Sequence, residues 1–130
     1  MEYVTLGQSD LKVSRICMGC MGFGNAQTGQ HSWTVDEETS KAIIKRGLEL
    51  GINFYDTAIA YQAGTSEEYL GKAIKEYAQR DKVVIATKFL PRSQEEIENG
   101  ISGKEHVLKS LDTSLSHLGM DYVDLYIYNI

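Results

Sequence analysis

Three residues in this sequence are of the types that together deliver a proton to a carbonyl oxygen: Asp56, Tyr61 and Lys88. A phenol alone is a poor acid at neutral pH, because its reference pKa is about 10. An ammonium group beside it stabilises the phenolate left behind, and a carboxylate beside the ammonium keeps that group charged and in place. Taken singly, each residue has an ordinary structural explanation: Asp56-Thr57 would cap a turn, Tyr61 would pack a loop, and Lys88 would be a solvated strand end. Position makes them a set. Each falls at or just after the carboxyl end of a run that reads as a β-strand, where the sites of parallel α/β folds lie. Asn129 closes a fourth such run.

Cys17 and Cys20 form a C-x-x-C pair, the spacing of a redox couple or of half a zinc site. A zinc site would need two more ligands from His31, His106 and His117, and none of these has ligand spacing to the pair or to another histidine. The pair lies in the apolar run from Ile16 to Met21, where cysteine behaves as a small buried hydrophobe. Burial of both thiols is therefore expected, with no metal.

The elements that must position the polar residues follow from periodicity and punctuation. Tyr3 to Leu6 and Leu11 to Val13 flank the turn-forming Gly7-Gln8-Ser9-Asp10, which predicts a β-hairpin. Ser14 to Met18 reads as a first strand, followed by a glycine-bearing loop from Gly19 to Trp33 whose length suggests function. Thr34-Val35-Asp36-Glu37 has the capping-box pattern for a helix running to about Leu50, with Gly51 ending it. Ile52 to Tyr55 is a second strand, and Thr65-Ser66-Glu67-Glu68 caps a second helix through Leu70, Ile74 and Tyr77. Val83 to Ala86 is an apolar run of the kind that parallel strands show, ending at Lys88. A polar loop is expected after Pro91. Ser102-Gly103-Lys104-Glu105 then caps a third helix carrying Leu108, Leu111, Leu115 and Leu118, stopped by Gly119. Tyr122 to Tyr128 is the fourth strand.

Strand and helix alternate at roughly 30-residue spacing, the signature of βαβ units with right-handed crossovers and a parallel sheet. An open doubly wound sheet and a barrel are the two candidate architectures. Gly19, Gly22 and Gly24 lack the G-x-G-x-x-G spacing of an open dinucleotide-binding sheet and lie far from the helix start, so that fingerprint is weak. The 130 residues fit one domain, and 42% hydrophobic with 24% charged residues is an ordinary globular composition. A formal net charge of -5 without any basic run argues against a nucleic-acid partner. The N-terminus reads as neither a signal peptide nor a membrane anchor, and a cytoplasmic location is the expectation.

Several segments, in order, resemble the aldo-keto reductase family. They are Leu6-Gly7 with Leu11-Lys12-Val13-Ser14, and Gly51-Ile52-Asn53-Phe54-Tyr55-Asp56-Thr57-Ala58 with Tyr61 after it. Glu67-Glu68-Tyr69-Leu70-Gly71-Lys72-Ala73, Ala86-Thr87-Lys88, and Ser110-Leu111 to Leu118-Gly119 with Asp121-Tyr122-Val123-Asp124-Leu125-Tyr126 continue the match. The resemblance runs the whole chain. It implies a (β/α)8 barrel with an N-terminal hairpin at its bottom, binding NADPH and reducing small aldehydes or ketones by hydride transfer. Tyr61 would be the general acid, Lys88 its modulator and Asp56 the partner of Lys88. Gly19, Cys20 and Met21, with Asp56, would approach the nicotinamide, and Phe23 or Trp33 would line the substrate pocket or simply pack. The family's fourth catalytic residue, a histidine, corresponds to Asn129, whose amide donates a hydrogen bond but does not titrate near neutrality.

A complete barrel of this type has about 250 residues. The chain is therefore expected to form its first half: a hairpin, four parallel strands and three helices. The residues of the family that clamp the cofactor fall on later strands. An open half-barrel would expose two sheet edges and the apolar interior face, which invites self-association or a complementing second half. Two readings follow: a carbonyl reductase completed by assembly, or a non-catalytic remnant with a binding or assembly role.

Overall fold

In the computed structural model, which describes residues 1–129, strands β1 (Tyr3–Thr5) and β2 (Lys12–Ser14) form the expected antiparallel hairpin, with Tyr3 opposite Ser14. Gly7 has a left-handed backbone (φ 57°), the conformation the tight reversal needs. Asn53 ties this hairpin to the main sheet: its side-chain oxygen accepts from Ser14 N at 2.7 Å and its amide donates to Lys12 O at 2.9 Å. The hairpin thus sits at the amino end of the strand that follows Asn53.

The main sheet is parallel, in the order β3 (Met18–Gly19), β4 (Phe54–Asp56), β5 (Val84–Phe89), β6 (Leu125–Tyr128). Sheet order equals chain order, as in a barrel wall, and each crossover carries a helix. Within the described residues β3 and β6 are paired on one side only. Register puts Asp56 beside Ala86 and Ala86 beside Leu125. Because side chains alternate across a strand, Asp56, Ala86, Lys88, Leu125 and Ile127 share one face. Tyr55, Ile85 and Thr87 share the other, and all three are fully buried.

That second face is covered by α1 (Glu37–Glu49), α2 (Thr65–Tyr77) and α4 (Gly103–Leu118). Ile44, Leu70, Ile74 and Leu118 meet Tyr55 and Ile85 there to form the core. Burying each such side chain contributes about 1.5–3 kcal/mol. At Gly71 α2 passes close to the end of α4: a Cβ there would lie 2.0 Å from the carbonyl oxygen of Leu118. One carboxylate is also sealed under α2. Glu67, fully buried, accepts from Thr87 Oγ1 at 2.7 Å and pairs with His117 Nδ1 at 2.9 Å. No helix among the described residues is long and apolar enough to cross a membrane.

Several boundaries differ from the sequence reading, each for a visible reason. The first strand is two residues long because Ser14 is held in the hairpin, its hydroxyl donating to Ile16 O at 2.6 Å. The second begins at Phe54, since Ile52 N closes the preceding helix by donating to Gly47 O. The fourth begins at Leu125 because Asp124 caps its neighbour, accepting from Ile85 N (2.9 Å) and Arg80 (2.8 Å). The cap of α1 is Asp36, which accepts from Thr39 N, rather than Thr34. That of α2 is Gly64, with no side-chain cap. The expected polar loop after Pro91 contains a short helix, α3 (Gln94–Glu98), opened by a Ser93–Glu96 capping box. Cys20 is buried as expected, but Cys17 is exposed, so the pair does not act as one apolar unit.

His106 on α4 joins three elements: Nδ1 meets Glu96 Oε2 at 2.8 Å and Nε2 meets Leu90 O at 2.6 Å. Two acceptors for two ring nitrogens favour the imidazolium, so the Leu90 carbonyl and then Glu96 hold the His106 pKa above its ordinary 6.5. His106 first, then Ser93, hold the Glu96 carboxyl below its ordinary 4.5. The raised histidine stabilises the fold below pH 6.5 and loses that contribution as pH rises through its folded value. The lowered carboxylate stabilises above pH 4.5 and loses it as pH falls. Thermal melts of the parent chain and His106→Gln should therefore differ most between about pH 4.5 and 6.5 and converge above it. A constant gap at all pH values would refute the assignment.

Candidate active site

Asp56 ends β4, and the chain beyond it keeps running along β5, with Thr57 N donating to Ala86 O (2.9 Å) and Ile59 N to Lys88 O (3.1 Å). This holds the next turn over the carboxyl end of the sheet. The turn, Tyr61–Gly64, is kinked by left-handed backbone at Gln62 and Ala63, and it carries Tyr61 directly above Lys88 of β5. Lys88 Nζ donates to Tyr61 Oη at 3.1 Å, to Asp56 Oδ2 at 3.0 Å and to Thr57 O at 2.9 Å. The ammonium has three protons, and these contacts use all of them. Asp56 Oδ1 is equally close to Nζ, at 3.0 Å, but misses hydrogen-bond geometry and is a buried acceptor without a donor among the described residues.

Partial burial works to discharge Lys88, but the hydrogen bonds to Tyr61 and Asp56 and the Asp56 charge outweigh it, so its pKa is raised above the ordinary 10.5. The ammonium is the resident form at neutral pH. It sits 4.8 Å from the Tyr61 ring centroid, and because Tyr61 Oη accepts from it, the phenol proton is directed away from the lysine. Among the described residues no protein acceptor takes that proton.

A pocket of about 140 Å³ opens beside Tyr61, walled by Met21, Gln30, His31, Leu90 and Asn129. Asn129 is anchored by its backbone N donating to Phe89 O at 2.9 Å, which fixes its place at the end of β6. All four residues singled out from the sequence therefore converge at one end of the sheet. Gly19, the register partner of Asp56, presents bare backbone, with nothing within 4 Å of where a Cβ would be. Met21 is exposed on the pocket rim. Cys20 is different: its side chain is in the core, its N donates to Asp56 O and its O accepts from Phe23 N and Ser66 Oγ. Its polar atoms are already committed. Phe23 packs in the core, whereas Trp33 is exposed and stacks on His31 with ring centroids 4.7 Å apart.

Sequence reasoning missed Gln62. It is buried and adjacent to Tyr61, yet a glutamine between a tyrosine and two small residues reads only as a polar turn. A larger groove of about 310 Å³ between α2 and α4, bordered by Ile74, Arg80 and Tyr122, lies on the helical side of the sheet, away from Lys88. Among the described residues no group of three or more His, Cys, Asp or Glu side chains is arranged to hold a metal ion.

Comparison with known proteins identifies the family and its fold. The model of the aldo/keto reductase family matches residues 15–129. An aldo-keto reductase of Bacillus subtilis, YhdN, is 37% identical over 97% of this chain, which spans 37% of that protein's length. Among solved structures, the holo form of an aldo-keto reductase from Bacillus halodurans superimposes with a TM-score of 0.77 at 33% identity, over 98% of this chain and 40% of that one. An aldo-keto reductase from Klebsiella pneumoniae in complex with NADPH gives 0.68 at 29% identity, over 91% of this chain and 36% of that one. The four strands and their helices are thus the first half of a (β/α)8 wall, and the chain belongs to the aldo/keto reductase family.

Proposed function

We propose that this chain supplies the proton-donating half of an NADPH-dependent carbonyl reductase, with Tyr61 as general acid. The observation that carries the reading is the single ammonium of Lys88 bonded at once to Tyr61 Oη and to Asp56. Tyr61 offers its proton to a carbonyl oxygen bound in the adjoining pocket. Lys88 stabilises the phenolate that remains, and Asp56 holds Lys88 charged and aimed. The Asn129 amide, on the wall of the same pocket, supplies a second hydrogen-bond donor for the carbonyl oxygen. It orients the substrate and takes no proton.

NADPH, when bound, supplies the hydride. The residues present fit its nicotinamide end. Asp56 Oδ1 is an acceptor awaiting a donor, as a carboxamide N–H provides, and the bare backbone of Gly19 admits a flat ring. Gly19, Met21 and Asp56 are the residues that would hold it, and the Klebsiella relative's complex with NADPH supports the choice of cofactor. A second reading, binding or assembly without catalysis, draws on Asn129, which cannot carry the charge a histidine would.

The test is NADPH oxidation by the purified chain with an aromatic aldehyde. Turnover is expected where chains assemble into a closed site, and there Asp56→Asn should lower kcat by about tenfold to a hundredfold by loosening Lys88. A folded chain that consumes no NADPH would sink catalysis by this chain and leave the binding reading.

A further inference from the structure

Tyr61 is followed by two consecutive non-glycine residues in left-handed backbone, Gln62 (φ 49°, ψ 48°) and Ala63 (φ 55°, ψ 34°). Such backbone is unfavourable for residues with a Cβ and persists where the surroundings over-determine it. Here the surroundings are one loop. The Gln62 side chain is 1% exposed, and its Nε2 lies 2.8 Å from Asn25 O, 2.7 Å from Thr28 O and 2.6 Å from His31 O, with Thr34 Oγ1 at 3.3 Å. Its Oε1 accepts from His31 N at 2.8 Å. One amide thus gathers both ends and the middle of the segment 25–34, which has no regular helix of its own.

Packing supports the same hub. Gly24 and Gly29 both have positive φ, and a Cβ on either would fall 2.5 Å from Gln62 atoms. The loop backbone is therefore wrapped directly onto this residue, at Gly24 against its side chain and at Gly29 against its backbone. Thr65 Oγ1 adds a second tie, accepting from Asn25 N at 2.9 Å. The gathered segment carries Gln30 and His31, which wall the pocket opposite Leu90 and Asn129.

We infer that Gln62 is a positioning residue that fastens the 25–34 loop to the turn bearing Tyr61 and so fixes one wall of the substrate pocket. Naming it a substrate pocket rests on the reading of Tyr61 as general acid; the fastening itself does not. The amide is matched to its task because its N–H donors face converging carbonyl oxygens and its carbonyl faces an N–H. In Gln62→Glu, an ionised carboxylate would turn an oxygen toward those carbonyls, whereas a protonated carboxyl would restore one O–H donor.

Amide hydrogen exchange by mass spectrometry on the 130-residue chain tests this, with Gln62→Met, Gln62→Glu and Gln62→Gly. The last accepts the left-handed backbone freely, so it removes the amide without straining the turn. Exchange over 25–34, including His31 N–H, should quicken at least about tenfold in all three while β4 and β5 keep their protection. In Gln62→Glu alone, protection relative to the parent chain should partly return as the pH is lowered. With aromatic aldehyde and NADPH, the variants should raise KM more than they lower kcat. Unchanged protection in the loop would overturn the inference, as would protection lost equally throughout the chain or no recovery of Gln62→Glu in acid. A chain without turnover would count against the Tyr61 reading, and the exchange data would still decide the role of Gln62.

Discussion

Tyr61→Phe should lower kcat for NADPH-dependent aldehyde reduction by about 10²- to 10⁴-fold, equivalent to roughly 3–5 kcal/mol of transition-state stabilisation. The substitution is conservative in every respect but one. Phenylalanine keeps the aromatic surface over which Lys88 sits at 4.8 Å and leaves the bonds from Lys88 to Asp56 and Thr57 in place. It deletes only the hydroxyl, the group whose proton is needed when negative charge develops on the substrate oxygen. Because that need arises in the transition state, KM should move by less than about threefold. Steady-state kinetics on both proteins decide it: a variant keeping more than about a tenth of parental kcat would mean that another group, or water, protonates the carbonyl.

Gly71→Ala should destabilise the fold by about 2 kcal/mol or more, with a melting temperature lower by roughly 6–10 °C. Two effects oppose each other. Alanine is the better helix former by about 1 kcal/mol, and Gly71 lies inside α2, so on propensity alone the change would stabilise. The new methyl, however, would stand 2.0 Å from Leu118 O and 2.6 Å from Leu118 C. Backbone at the end of α4 cannot rotate away as a side chain can. The two helices must separate, loosening Leu70, Ile74 and Leu118 together. Gly103→Ala is the matched control: it has nothing within 4 Å and should be neutral or stabilising by about a few tenths of a kcal/mol. Equal melting temperatures for the two variants would show that α2 and α4 do not bear on one another as described.

The fold was legible where the pattern is local and repeated. Leucines at helical spacing with Ser102 before them and Gly119 after them mark α4 because caps and periodicity act within a few residues. Asp56, Tyr61 and Lys88 were legible because parallel α/β folds present side chains where strands end, and that position can be found by counting along apolar runs. Strand starts were harder. Ser14, Ile52 and Asp124 all sit in strand-like sequence but spend their polar groups on partners outside the strand, such as Asn53 for Ser14 and Ile85 for Asp124. The Ser93–Glu96 box was visible in principle, but a five-residue helix has too little apolar periodicity to announce itself. Gln62 gave no signal. Its side-chain partners are mostly backbone carbonyls 31 or more residues away, and backbone carries no sequence.

Cys17 has a practical bearing. It is the exposed member of the pair, yet partial burial first, and the Asp56 carboxylate second, push its thiol up to about 11 against the milder pull of Lys88. At pH 7 the protonated thiol therefore predominates over the nucleophilic thiolate. Cys20, sealed in the core, is pushed higher still by burial. A sequence that advertises a redox motif thus places one thiol in the core and holds the other protonated at its surface, and labelling of Cys17 by maleimide is expected to quicken as the pH is raised above neutrality.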